Sequence, residues 1–157
     1  MKNKIFYILI VIIAVASLWL IASERINNKS DGKNINNKQL KALKIGDKTI
    51  LIEIAKTEKD REQGLSGKKN LPTEQGMLFA FDKPDFYSFW MKEMNFPIDI
   101  VWLDQGLKIV EITENFEPKT YPQTITSHYP AQYVLEINTK SVEKYGFKIG
   151  DVFILEQ

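Results

Sequence analysis

Cysteine is absent from the 157 residues and histidine occurs once, at His128. No disulfide framework, thiolate metal site or thiol nucleophile is therefore available, and a lone imidazole cannot assemble a histidine-based metal centre. An excess of one charge is missing too. Lys and Arg number 21 against 20 Asp and Glu, and setting aside residues 1–23 removes Lys2 and Lys4 and no acid, leaving 19 bases against 20 acids. That balance offers no nucleic-acid footprint. No serine stands in a G-x-S-x-G elbow, and Ser127 beside His128 has no sequence support for a triad. Gly64, Gly67, Gly76, Gly146 and Gly150 fit turns and helix ends, and none opens a phosphate-binding loop. No metal or other cofactor is expected, and no internal repeat is visible.

What is present begins with an export signal. Lys2 and Lys4 precede an uncharged apolar run, residues 5–21, starting at Ile5 and ending at Ile21. A cleavable signal peptide has an apolar core of about 7–15 residues, whereas about 17–25 residues span a bilayer as a helix. The length favours a retained anchor over a cleaved signal within residues 1–23. Basic residues ahead of the run keep that end cytoplasmic and place the remainder outside. The expected location is the cell membrane, single-pass, with the C-terminal domain extracytoplasmic, or secreted if the signal is cleaved. Residues 24–39, rich in Asn and Lys, bury too little apolar surface to order themselves and read as a tether. Residues 40–157 then form one globular domain. With 44% hydrophobic and 11% aromatic residues, the chain suffices for one core.

Within that domain the periodicity is mostly that of short strands. KTILIEIA alternates, with Ile50, Ile52 and Ile54 on one face and Leu51, Glu53 and Ala55 on the other. Thr57 followed by Asp60 suggests a variant capping box for a helix over EKDREQ, stopped at Gly64. Further strands are expected at residues 77–81, 86–91, 98–103, 108–113, 133–137 and 152–155, with a tight turn at Asp104-Gln105-Gly106 and a second short helix over residues 139–145. Pro84, Pro97, Pro118, Pro122 and Pro130 fall between these runs. The fold class is mainly β (α+β): a compact, mostly antiparallel barrel-like or rolled sheet with two short helices, preceded by an N-terminal hydrophobic helix.

The densest segment is MLFAFDKPDFYSFWMKEMNFPIDIVW, from Met77 to Trp102, where Lys92, Glu93 and Asp99 are set among aromatic and aliphatic residues. An unpaired buried charge costs several kcal/mol. Such charges therefore sit at strand ends, in a pocket or against each other.

Arg61-x-x-Gly64-Leu65, GMLFAF from Gly76, FWMK from Phe89, Pro97-x-Asp99, Val134-Leu135-Glu136 and Gly150-Asp151 follow one another in an order that resembles the domain of unknown function 192 family. Its members are small bacterial and archaeal proteins, many of them exported. The resemblance covers about residues 47 to 156 and implies a β-rich barrel-like fold with no established activity. Family members often carry Asn after the FWMK lysine, where this chain has Glu93.

Alternation places Trp90 and Lys92 on one strand face. With Arg61, Asp99 and Glu136 they form a candidate ligand site, in which the cations attract an anion or sugar hydroxyls and Trp90 stacks on a ring. The plainer alternative keeps Trp90 in the core and pairs Arg61 and Lys92 with Asp99 and Glu136 as structural ion pairs. Three functions follow: a membrane-tethered module binding a small polar ligand such as a sugar or carboxylate; an interaction domain docking on an envelope protein through Phe81, Phe86 and Tyr87; or a carbohydrate-active hydrolase using Asp99 and Glu136 as paired carboxylates. The first is preferred, with no catalytic residue assigned.

Overall fold

The computed structural model describes residues 40–156; the apolar run and the tether lie outside them. The described chain runs β1 (Lys41–Ile45), β2 (Lys48–Ala55), α1 (Glu58–Gln63), β3 (Gln75–Asp85), β4 (Ser88–Trp90), β5 (Ile98–Leu103), β6 (Ile109–Phe116), a 3-10 turn (Pro118–Thr120), β7 (Thr124–Thr126), β8 (Ala131–Asn138), α2 (Ser141–Tyr145) and β9 (Ile154–Leu155). Seven strands form one sheet in the order β6-β5-β8-β3-β2-β1-β9, and β4 pairs with β7 in a separate ribbon. All pairings are antiparallel except β2 with β3, whose crossover carries α1.

The sheet curls into a half-barrel. Beyond β6 the chain bridges back to the segment before β9 through Lys108 and Val152, and Ile109 N and Phe153 N donate to the carbonyls of Asp151 and Leu107. Leu43 from one edge and Ile109 from the other meet Leu78, Val101, Leu103, Leu135, Ile137 and Phe153 in one apolar cluster, so these residues fill the concave side. Val142 of α2 and Phe147 close it. The alternate residues of the same strands, Met77 and Phe79 of β3, Ile98, Ile100 and Trp102 of β5 and Val134 of β8, form a second cluster on the convex face. Leu65, Leu71, Phe89 and Met91 cover that face from the segments after α1 and around β4.

Local chemistry agrees with several expected elements. Thr57 Oγ1 accepts from Asp60 N at 3.1 Å while the Asp60 carboxylate accepts from Thr57 N, completing the capping box of α1. Asp104 Oδ1 accepts from Gly106 N and Lys108 N and holds the β5–β6 turn. Gly76 permits a close approach of β3 to β8: a Cβ there would stand 2.9 Å from the Glu136 carbonyl oxygen. One expectation fails at Pro84, which lies inside β3. Its ladder with β8 is interrupted between Ala80 and Asp85, so the missing N–H breaks no pairing there.

Candidate functional site

A cavity of about 670 Å³ opens on the convex face. Its walls come from α1 and the turn after it (Glu58, Arg61, Glu62, Gln63, Gly64, Leu65, Ser66), from β3 and its end (Phe79, Phe81, Asp82, Lys83), from Tyr87 and β4 (Ser88, Phe89, Trp90), from Met94 and from Glu136 of β8. Aromatic packing builds the frame. Phe81 and Tyr87 stack with centroids 3.5 Å apart, and Phe89 meets Phe79 and Trp102 edge-on at 4.9 and 5.4 Å. Tyr87 Oη donates to the Lys83 carbonyl at 2.8 Å, which holds the ring against the wall. The rim is pinned by Ser66 Oγ donating to the Lys92 carbonyl and Gly67 N donating to the Glu93 carbonyl.

Glu136 is the unusual member. Its cross-strand partners are Met77 on β3 and Ile100 on β5, both apolar, and it is only 5% exposed. No hydrogen bond or ion pair from a described residue reaches its carboxyl, whose oxygens keep some access to the cavity. Burial alone pushes its pKa up to about 8, because the charged form has lost its water. At neutral pH the group is mostly a neutral acid on a cavity wall, able to donate as well as accept a hydrogen bond.

Of the other residues proposed from the sequence, Arg61 and Trp90 share this cavity with Glu136. Arg61 Nη1 donates to the carbonyls of Lys56 and Ala80, and its guanidinium lies 5.0 Å from the Phe81 ring centre, so it fastens α1 to β3. Trp90 is 52% exposed at the rim, 6.5 Å from the Tyr121 ring. Lys92 is not among the cavity-lining residues; its Nζ stands 5.9 Å from the Trp90 ring centre.

Asp99 requires a correction. It is fully buried on the concave face, opposite Ile137, where Oδ1 accepts from Asn115 N and Oδ2 from Val142 N, both at 3.0 Å. It thus caps α2 and fixes the irregular end of β6, and cannot line the cavity. Asp99 and Glu136 leave the sheet on opposite sides, so no single substrate lies between them and the paired-carboxylate hydrolase loses its pair. Nor do Arg61 and Lys92 form ion pairs with either acid among the described residues.

Sequence reasoning passed over a second polar cluster. Glu111 accepts from Ser127 Oγ at 2.7 Å and from His128 N at 2.6 Å, and its other oxygen lies 2.9 Å from His128 Nδ1. Burial opposes ionisation of Glu111, but hydrogen bonds from His128 and Ser127 outweigh it and hold its pKa below the ordinary carboxylate value. Ser127 and His128 both address the same acid instead of each other, which is a loop clamp and no nucleophile relay. Only the outward alternation of β6 hinted at it.

Taken together, the geometry defines a class: a mainly β half-barrel with a closed inner core and a small-molecule-sized cavity on its outer face. The chain belongs to the domain of unknown function 192 family, DUF192, described as "Uncharacterized ACR", whose model matches residues 41–155. Among curated proteins none matches. The crystal structure of a "putative transcription regulator" from Sinorhizobium meliloti 1021 is similar at 29% identity, covering 74% of this chain and 93% of that one with a TM-score of 0.70. That of a protein of unknown function from Novosphingobium aromaticivorans is similar at 25% identity, covering 78% and 89% with a TM-score of 0.69.

Proposed function

We propose that the chain is a membrane-tethered extracytoplasmic module that binds a small polar organic ligand in the convex-face cavity, with no reaction of its own. Glu136 carries the binding half of this reading. An acid 5% exposed, with no partner among the described residues and its oxygens open only to the cavity, is poorly solvated, and a ligand group would complete it. The cavity volume lies within the roughly 300–1,000 Å³ of small-molecule sites, which are typically apolar with a few placed polar groups. Phe81, Phe89 and Trp90 supply flat surfaces for the ligand body. The tethering half rests on the apolar run behind Lys2 and Lys4. Transcription regulation, printed for the Sinorhizobium protein, finds no support in this chain's nearly equal acids and bases.

The test is a thermal-shift screen of the full chain in mild detergent against sugars, amino acids, carboxylates and amines, repeated on Trp90→Ala. A stabilising compound whose effect shrinks in the variant establishes the pocket. If nothing shifts the protein, the exposed aromatics Phe86, Trp90 and Tyr121, at 55%, 52% and 47%, favour the second reading, docking on an envelope protein.

A further inference from the structure

Resting on that pocket reading, we infer that the ligand carries an organic ammonium group, which seats against the Glu136 carboxylate while its carbon body lies on the aromatic wall. Three features of the site and its surroundings point to a cation. The residues that flank Glu136 across the sheet, Met77 and Ile100, offer no counter-charge. Arg61, the cation that would welcome an anionic ligand, has Nη1 turned to the carbonyls of Lys56 and Ala80 and its guanidinium 5.0 Å from the Phe81 ring, and with Lys83 it is outnumbered by the acids of the wall. The remaining charged residues of the wall, Glu58, Glu62 and Asp82 against Lys83, are acidic on balance.

A carboxylate ligand would therefore enter an acidic cavity and meet a buried acid. A neutral hydroxyl could pair with the protonated Glu136 but would leave the acidic excess of Glu58, Glu62 and Asp82 over Lys83 uncompensated. An ammonium supplies the missing charge, donates N–H to the carboxylate oxygens and gains from nearby ring faces. Of the other elements against this face, β2 contributes Glu53, which already pairs with Lys68 Nζ at 2.9 Å. Tyr87 is held by the Lys83 carbonyl, and Phe89 of β4 and Ile98 and Trp102 of β5 carry no charge. Because burial raises the Glu136 pKa, the free protein holds a proton there at neutral pH. The arriving ammonium displaces it to solvent, so binding releases close to one proton per ligand.

The experiment compares three probes on one ring, benzylammonium, benzyl alcohol and benzoate, at equal concentration and pH 7 with the full chain in mild detergent. Benzylammonium should raise the melting temperature about 3 °C more than the alcohol, and Glu136→Gln should abolish that excess while leaving the alcohol's effect in place. If the alcohol or benzoate equals or exceeds the amine, the ammonium inference is overturned and the pocket reading stands. If none of the three shifts the protein, the inference is overturned, and the wider screen decides the pocket separately. Should Glu136→Gln fail to fold, titration calorimetry of benzylammonium with the unaltered protein in two buffers of different ionisation heat still decides. An affinity for benzylammonium several-fold above that for benzyl alcohol supports the inference, the buffer dependence of the heat reporting any proton released, and an affinity no higher than the alcohol's refutes it.

Discussion

The two faces of the seven-stranded sheet are made from alternate residues of the same strands, yet they treat a buried acid in opposite ways. On the concave face Asp99 has both oxygens filled by backbone N–H groups and welds β6 and α2 to β5. On the convex face Glu136, 5% exposed on the cavity wall, has no partner among the described residues. Burial alone therefore does not mark a functional acid. What separates the two is whether the fold itself completes the group, and only Glu136 is left for something else to complete.

The largest expected effect sharpens that contrast through pH. The Glu136 pKa is raised from the ordinary 4.5 to about 8, so the folded state holds this proton more tightly than the unfolded chain. Its stability contribution is fully present below pH 4.5 and is lost as pH rises through about 8. Between pH 5 and 9 that slope amounts to about 4 kcal/mol. Urea midpoints at pH 5, 7 and 9 should fall for the unaltered protein and stay flatter for Glu136→Gln. Parallel slopes would assign the pH dependence to other groups.

Asp99→Asn is the mirror experiment. It sets an amide donor against one of two backbone N–H groups in a fully buried place, and should cost about 3 kcal/mol at pH 7. If Asp99→Asn proves as mild as Glu136→Gln, the two acids are equivalent and the comparison breaks. Gly76→Ala probes the seam beneath both faces. The new Cβ would stand 2.9 Å from the Glu136 carbonyl oxygen and from Ile137 Cγ2, and backbone cannot yield cheaply. A loss of about 2 kcal/mol is expected, measured as a lower denaturation midpoint, with no change if β3 and β8 can part freely.

The strands with strong inner periodicity are legible from the chain itself. Residues 98–103 and the KTILIEIA stretch have the observed bounds of β5 and β2. Alternation also separates Glu136 from Leu135 and Ile137, as observed. It does not reveal that the Glu136 side of β8 is covered as well, because that cover arrives from distant segments around Leu65 and Phe89. The same gap misplaces Asp99: its partners, the N–H groups of Asn115 and Val142, lie 16 and 43 residues away. β1 escapes notice because Lys41 and Lys44 dilute its pattern and only Leu43 is fully buried, so pairing with β2 and β9 decides it. β7, between Pro122 and Pro130, exists only through its pairing with β4.

The smallest prediction concerns the rim of the convex cavity at Glu93, where the family resemblance leads one to expect Asn. Glu93 has φ +56°, the left-handed region that most side chains avoid and that Asn and Gly enter more readily. Its carbonyl accepts from Gly67 N at 2.9 Å and the neighbouring Lys92 carbonyl accepts from Ser66 Oγ at 2.8 Å, so the turn cannot relax without releasing the rim. The amide at this position is then a conformational choice and need not touch a ligand. Glu93→Asn and Glu93→Gly should each raise stability by about 0.5–1 kcal/mol, whereas Glu93→Ala, which keeps the Cβ and gains no left-handed preference, should not. If the alanine variant gains as much as asparagine, removal of the charge and not the backbone is responsible. If asparagine changes ligand affinity without changing stability, position 93 belongs to the site, and the rim is more than a frame for Glu136.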